Sequence, residues 1–306
     1  MNRLYQQNDQ TTDDYLKSII AHYGHDSFFH YFMVRLDDVR LMFCQSMVKD
    51  RKLMKTVVQN ADYYGHTAHS KRFVLDILAT DELGCFYNIE LQCYPVDKAN
   101  LSRFQCYVFR KVDDEVRRGE SYDIKPVKQM IINNSDPIEG LNEYRHHFTY
   151  YDEENRVELP HTVSEIYIVQ TAYLYKEMEK KGELGDFDQF MYLFKNNRVY
   201  DKIKPSRMIE EVIEMHKEYM DSNEAQMALE REREIYLKNT QIKDAKNIGK
   251  KQGTADTLID ILREKLKGMS KECEIMIREA DIQKLNQLKK NIFKVKDEEE
   301  VKEIVR

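Results

Sequence analysis

The sequence predicts an α/β protein, with a mixed central sheet flanked by helices and a C-terminal helical tail. Two strand-like runs, Phe73–Leu78 and Cys85–Cys93, flank the turn signal Asp81-Glu82-Leu83-Gly84. An amphipathic stretch from Asn100 to Arg118 then leads to a third strand-like run at Pro126–Ile132. From about Ser206 to Arg306 there is no proline and little strand signal.

Taken in order, Ser27 to Val48 reads as one helix. Phe28, Phe32, Leu36, Val39, Met42 and Met47 recur at spacings that give it one buried side. Val57–Tyr64 reads as a short strand before the hairpin. In the next helix Leu101, Phe104, Val108, Val112 and Val116 share a side, and Gly119 is the natural stop. Pro126 is tolerated because it opens its strand. Phe148–Tyr151 and Arg156–Leu159 flank Asp-Glu-Glu-Asn as a second hairpin, and Glu165–Leu174 reads as a further strand. The chain becomes mostly helical from about Phe187. Gly249 and Gly253 are expected to interrupt the tail, and Gly268 to separate a terminal helical pair. The predicted organisation is a domain at 1–205, with its core at about 26–133 and an extension at 134–205, then a helical tail at 206–306. Leu258, Ile261, Leu262 and Leu266 in the tail want a partner surface, from this chain or from a second copy in a homodimer.

At 306 residues, 42% hydrophobic and 33% charged, with 10 Gly and 5 Pro, the composition fits a globular protein rich in helix and argues against extensive disorder. No apolar run approaches the roughly 18 residues needed to span a bilayer, and the first residues lack the order of a signal peptide. A cytoplasmic protein without a membrane partner is expected. The five cysteines never form a C-x-x-C pair, so buried reduced thiols are expected and a zinc site is not. The formal net charge of -6 decides nothing about nucleic acid, because a local basic surface can coexist with an acidic total.

The hairpin brings polar groups together by simple geometry. A three-residue loop, Glu82-Leu83-Gly84, lets Gly84 take the left-handed position of a bulge, so that Asp81 opposes Cys85. Stepping outward pairs Asp76 with Glu90 on one side of the sheet, with Cβ atoms about 4.5–5.5 Å apart. Gln92 shares that side, two residues beyond Glu90. Two carboxylates so close repel, and a divalent cation such as Mg²⁺ resolves the conflict. The competing reading, a solvated sheet face, sits poorly with Asp76 interrupting Val74-Leu75-Asp76-Ile77-Leu78.

This ordered set, D-(x)13-E-x-Q within Phe73–Gln92, resembles the catalytic core of the PD-(D/E)XK nucleases. More narrowly it resembles the Rpn family of recombination-promoting nucleases, related to transposases. Matching features are Val74-Leu75-Asp76-Ile77, the turn at Gly84, Asn88-Ile89-Glu90-Leu91-Gln92, Arg103 and Tyr107, Gly119-Glu120-Ser121-Tyr122, and Lys125-Pro126-Val127. The resemblance runs from about Asp26 to Met220, with Glu218-Tyr219-Met220 and the glycine-punctuated helix fitting the family's tail. It implies a restriction-endonuclease-like core and metal-dependent hydrolysis of phosphodiester bonds in DNA. Asp76 and Glu90 would be metal ligands, the Leu91 carbonyl a third oxygen, and a metal-activated water the nucleophile. Leu75 stands where the namesake motif has proline. Gln92 stands where it has lysine, which removes a cation, because an amide orients water but carries no charge. The alternative is a nuclease fold that binds DNA or protein without cutting.

Arg103, Tyr107 and Arg110 recur at i, i+4 and i+7 beside the apolar stripe, and are expected to contact the phosphate backbone, with Arg103 nearest the metal. Lys125 and Lys128 continue the basic run; Arg117 and Arg118 read as an ordinary solvated face. His22-Tyr23-Gly24-His25 and His66-Thr67-Ala68-His69 lack the companions a metal site needs.

Overall fold

The computed structural model describes residues 2–59, 62–63, 73–74, 76–118, 124–182 and 184–306. The chain opens with α1 (Asn2–Ile20), which the polar N-terminal sequence did not announce. Leu16 and Ile20 are its buried anchors. The single helix expected from Ser27 to Val48 is two, α2 (Asp26–Arg35) and α3 (Asp37–Gln45). Leu36 between them is extended, with φ -102° and ψ 96°. The buried Arg40 holds this corner. Its Nη1 donates to the Met33 and Val34 carbonyls at the end of α2, at 2.8 and 3.2 Å, and its Nε to Thr56 Oγ1 at 3.1 Å. A guanidinium thus satisfies carbonyls that helix termination leaves open.

The strands are β1 (Thr56–Val58), β2 (Asp62–Tyr63), β3 (Phe73–Val74), β4 (Ile77–Asp81) and β5 (Phe86–Gln92). α4 (Lys98–Arg118) follows, then β6 (Val127–Asn133), β7 (Arg145–Phe148), β8 (Tyr151–Asp152), β9 (Val157–Glu158) and β10 (Ser164–Gln170). Among the described residues the main sheet runs β1-β4-β5-β6-β10-β7. The three central strands are parallel, β5 to β6 and β6 to β10, and the remaining pairings in this sheet are antiparallel. α4 makes the β5-to-β6 crossover that parallel pairing requires. Strand β8 pairs with β9 around the Asp-Glu-Glu-Asn turn, as the sequence indicates. Phe148 belongs to β7 in the main sheet.

One sheet face, carrying Tyr87, Ile89, Leu91, Met130, Ile132 and Val169, enters the main core. α5 (Leu174–Lys181), α6 (Asp186–Asn196) and α7 (Arg207–Met220) complete the first compact unit. Phe32 meets Phe190 and Phe194 at ring-centroid distances of 6.1 and 6.2 Å, and Phe43 meets Phe190 at 5.5 Å. The tail begins at 206 by sequence, yet α7 puts Ile209, Val212 and Tyr219 into the first unit's core. The two compact units divide at Glu230 and Arg231.

The second unit holds most of α8 (Asn223–Lys265), then α9 (Lys271–Glu279), α10 (Ile282–Asn291) and α11 (Glu298–Val305). Gly249 and Gly253 do not interrupt α8. A lone glycine among good helix formers costs only about 1 kcal/mol. Beyond Gly268, whose φ is +134°, three helices follow instead of a pair. Leu258 and Leu262 pack with Cys273, Ile277, Leu285 and Leu288, so this unit supplies the partner surface its apolar positions call for. No helix of the described residues is long and apolar enough to cross a membrane.

Candidate functional site

The hairpin forms in the register its turn dictates. Gly84 has φ +80°, its N–H donates to the Asp81 carbonyl at 3.1 Å, and the Asp81 N–H donates to the Cys85 carbonyl at 3.1 Å. The ladder then runs Thr80 to Phe86 and Ile77 to Ile89, so one further step places Asp76 across from Glu90. The strand expected over Phe73–Leu78 is broken at Asp76, a bend between β3 and β4. Leu75 lies outside the described residues. The Leu91 N–H donates to Asp76 Oδ2 at 3.0 Å. A residue's N–H and C=O point to the same edge of a strand, so the Leu91 carbonyl faces that edge too.

Glu90 is only 2% exposed. It lies on the α4-covered face of the sheet with Asn88 and Gln92, opposite Ile131, Gln129 and Asn133 of β6 in turn. Gln92 Nε2 approaches Glu90 Oε2 at 3.5 Å, and Gln92 Oε1 accepts from Arg103 Nη2 at 3.3 Å. Arg103 reaches in from α4, its guanidinium 5.2 Å from the Phe104 ring centre and 5.9 Å from that of Tyr107.

Electrostatics separates this cluster from the rest of the hairpin. Burial pushes the Glu90 carboxyl well above the ordinary range, the Asp76 charge adds to the rise, and Arg103 and Asn88 only moderate it. Burial likewise raises Asp76, against the Leu91 N–H bond; Asp26 adds to the rise and Arg103 opposes it. Burial and then the Glu90 charge push the Tyr107 hydroxyl up to about 12. Among the described residues neither Asp76 nor Glu90 is ion-paired. No group of three or more His, Cys, Asp or Glu side chains able to hold a metal gathers among those residues. Two carboxylates with a nearby carbonyl are nevertheless the oxygen donor set that suits Mg²⁺, which keeps several waters and binds through one or two carboxylates.

Asp26, Asn88 and Gln129 belong here and were not read from the sequence. Asp26 opens α2 and accepts from the Ser27 N–H at 2.7 Å, so its position alone says helix start. Asn88 and Gln129 are buried neighbours across β5 and β6; the Asn88 side chain lowers the Glu90 pKa, and the Gln129 amide atoms have no hydrogen-bond partner among the described residues. Such orphaned groups call for an explanation, and function is a common one.

Other expectations change. Lys128 projects from the opposite sheet face, ion-paired with Glu165, and so is not part of the basic run beside the hairpin. Arg110 lies half-buried on α4, two turns beyond Arg103. Lys111 is buried on the same helix, 3.6 Å from the Phe86 ring centre. His25 caps α2, and His22 Nδ1 accepts from the Gly24 N–H at 2.9 Å. His66, His69 and the segment Gly119–Tyr122 lie outside the described residues. None of the five cysteines is in a disulfide; Cys93 and Cys106 are exposed, against the expectation of burial.

A family model described as PD-(D/E)XK nuclease family transposase matches residues 37–253, more than half of the chain. No curated protein and no solved structure matches the chain.

Proposed function

The chain belongs to the PD-(D/E)XK nuclease family transposases, and from that premise we propose that it is a divalent-metal-dependent DNA endonuclease of the cytoplasm. One observation carries the reading. Asp76 and Glu90 face each other in the hairpin, both are raised by burial, and no described side chain forms an ion pair with either. A fold keeps such a pair at a cost unless something positive is to bind there.

Asp76 and Glu90 would hold Mg²⁺ or another divalent cation, with the Leu91 carbonyl as a third oxygen. When bound, the cation supplies Lewis acidity, easing water ionisation and offsetting charge on the scissile phosphate. The Leu91 N–H fixes the rotamer of Asp76. Gln92 stands beside the attacking water as a neutral orienting group. Tyr107 and Arg110, in order along α4, would face the DNA backbone, with Arg103 nearest the metal.

Purified chain incubated with supercoiled plasmid is expected to nick or linearise it in Mg²⁺ and not in EDTA. Gln92 in place of lysine favours a second reading, a module that binds DNA without cutting it. That reading predicts retained DNA in a mobility-shift assay and no metal-dependent products.

The C-terminal unit is the proposed self-association module. Its own core is filled, but Ile235, Leu237, Ile242 and Ile248 of α8 remain exposed. Full-length protein is expected to be dimeric by light scattering, and a chain ending at Glu230 monomeric yet still able to cleave. Truncation at Pro205 is a poor test, because it removes Ile209, Val212 and Tyr219 from the first core. A monomeric full-length chain would remove the self-association assignment.

A further inference from the structure

Hydrolysis of a phosphodiester builds negative charge on the phosphate, and pre-placed positive groups are among the largest contributors to lowering that barrier. Gln92 cannot provide such charge. The described cation that hydrogen-bonds Gln92 is Arg103, whose Nη2 donates to Gln92 Oε1 at 3.3 Å. We propose that Arg103 supplies the positive charge at the reacting phosphate, and that Gln92 is the positioning residue that holds its guanidinium there. The inference rests on the nuclease reading.

Three observations support it. First, Arg103 acts electrostatically on both Asp76 and Glu90, yet it forms no ion pair with either. An arginine present only to neutralise two buried carboxylates would be drawn into direct pairing with them. Second, the buried Arg103 Nε–H has no hydrogen-bond partner among the described residues, so the guanidinium is not fully committed there. A planar fork with spare donors matches phosphate oxygens better than an ammonium does. Third, Gln92 lies between opposite charges with its amide turned to suit both, Nε2 toward Glu90 and Oε1 toward Arg103. A neutral spacer at this position keeps the guanidinium from collapsing onto Glu90, which would occupy the carboxylate needed for the cation. Arg103 is therefore more than one backbone contact among several along α4.

The test compares wild type, Arg103→Met, Gln92→Lys and the double variant in three measurements. These are plasmid cleavage in Mg²⁺, DNA affinity by anisotropy in Ca²⁺ at several salt concentrations, and Mn²⁺ affinity by calorimetry without DNA. Arg103→Met is expected to lower cleavage about 100-fold or more, the usual cost of losing one such stabilising group. Its DNA affinity should change by less than about threefold, with an unaltered salt dependence. Its Mn²⁺ affinity should rise, because a like charge has left the site. Adding Gln92→Lys should recover about tenfold or more of the lost cleavage and return Mn²⁺ affinity toward wild type. The proposal is overturned if Arg103→Met weakens DNA binding in step with cleavage and lowers the salt slope by about one, the signature of a backbone contact. Absence of rescue in the double variant overturns it as well. A wild type that never cleaves takes down the nuclease reading itself, whereas a cleaving wild type with unresponsive variants takes down only the role of Arg103.

Discussion

Asp76→Ala and Glu90→Ala are each expected to remove metal-dependent cleavage, by about 10³-fold or more, while leaving the fold in place. The reasoning turns on a contrast inside one hairpin. Asp81 is another carboxylate there, and its side chain is fully buried. Burial alone would raise its pKa, but the Tyr87 hydroxyl, the Arg51 guanidinium and the Leu83 and Cys85 N–H groups outweigh that and hold it below the ordinary range. Asp81 is therefore structural. Asp81→Ala would leave Arg51 only its pair with Glu82 and would uncap the turn, and removing such hydrogen-bond partners costs about 1–3 kcal/mol. Asp76 and Glu90 show the opposite sign, raised by burial and without an ion-pair partner among the described residues. Removing either relieves repulsion within the hairpin and takes away a cation ligand. Plasmid nicking measured beside circular-dichroism melting separates the two kinds of carboxylate. Full cleavage by Asp76→Ala or Glu90→Ala would eliminate the assignment, and so would a loss of fold matching that of Asp81→Ala.

The hairpin was legible because one residue sets its register. Gly84 at φ +80° fixes Asp81 against Cys85, and period-two alternation does the rest. The strand β6 was legible from the run after the leading Pro126, though its parallel pairing with β5 was not. Long-range consequences were not. Periodicity ran across Leu36 because α2 and α3 both bury apolar residues, and only the carbonyls that accept from Arg40 reveal the corner. The alignment of α7 with the first core depends on where Tyr219 meets Phe28, at a centroid distance of 5.2 Å, which no spacing encodes. Arg103 was visible as a basic residue on α4, but its hydrogen bond to Gln92 joins residues eleven apart through the crossover. Asp26 was hidden because an acid at a helix start already has a local reason to be there.

The raised carboxyls also predict how stability depends on pH. A carboxyl whose pKa is higher in the folded than in the unfolded chain binds its proton more tightly when folded. The resulting stabilisation is complete below the ordinary carboxylate pKa of about 4 and is lost as pH rises through the raised value. Metal-free protein should therefore melt at progressively lower temperature as pH climbs from about 5 through neutrality. Each unit of rise corresponds to about 1.4 kcal/mol, or roughly 2–4 °C in a chain of this class. Asp81 works in the other direction and in a lower window: its stabilisation is present at neutral pH and is lost only on acidification below its unfolded pKa. Above about pH 5 His22, His30 and His216 also contribute; burial lowers their pKa, so their contribution to stability rises with pH. Comparison with a Glu90 variant therefore isolates the carboxyls. Glu90→Gln should flatten the slope and leave the metal-free protein more stable than wild type at about pH 8. Mg²⁺ or Mn²⁺ should raise the melting temperature of wild type most at high pH, where protons no longer compete, and should do little for Glu90→Gln. Scanning calorimetry from about pH 5 to 9, in EDTA and in excess cation, measures all of this. A Glu90→Gln variant with the same pH slope as wild type, or one less stable than wild type at the alkaline end, would show that these carboxyls are not a strained pair awaiting a cation.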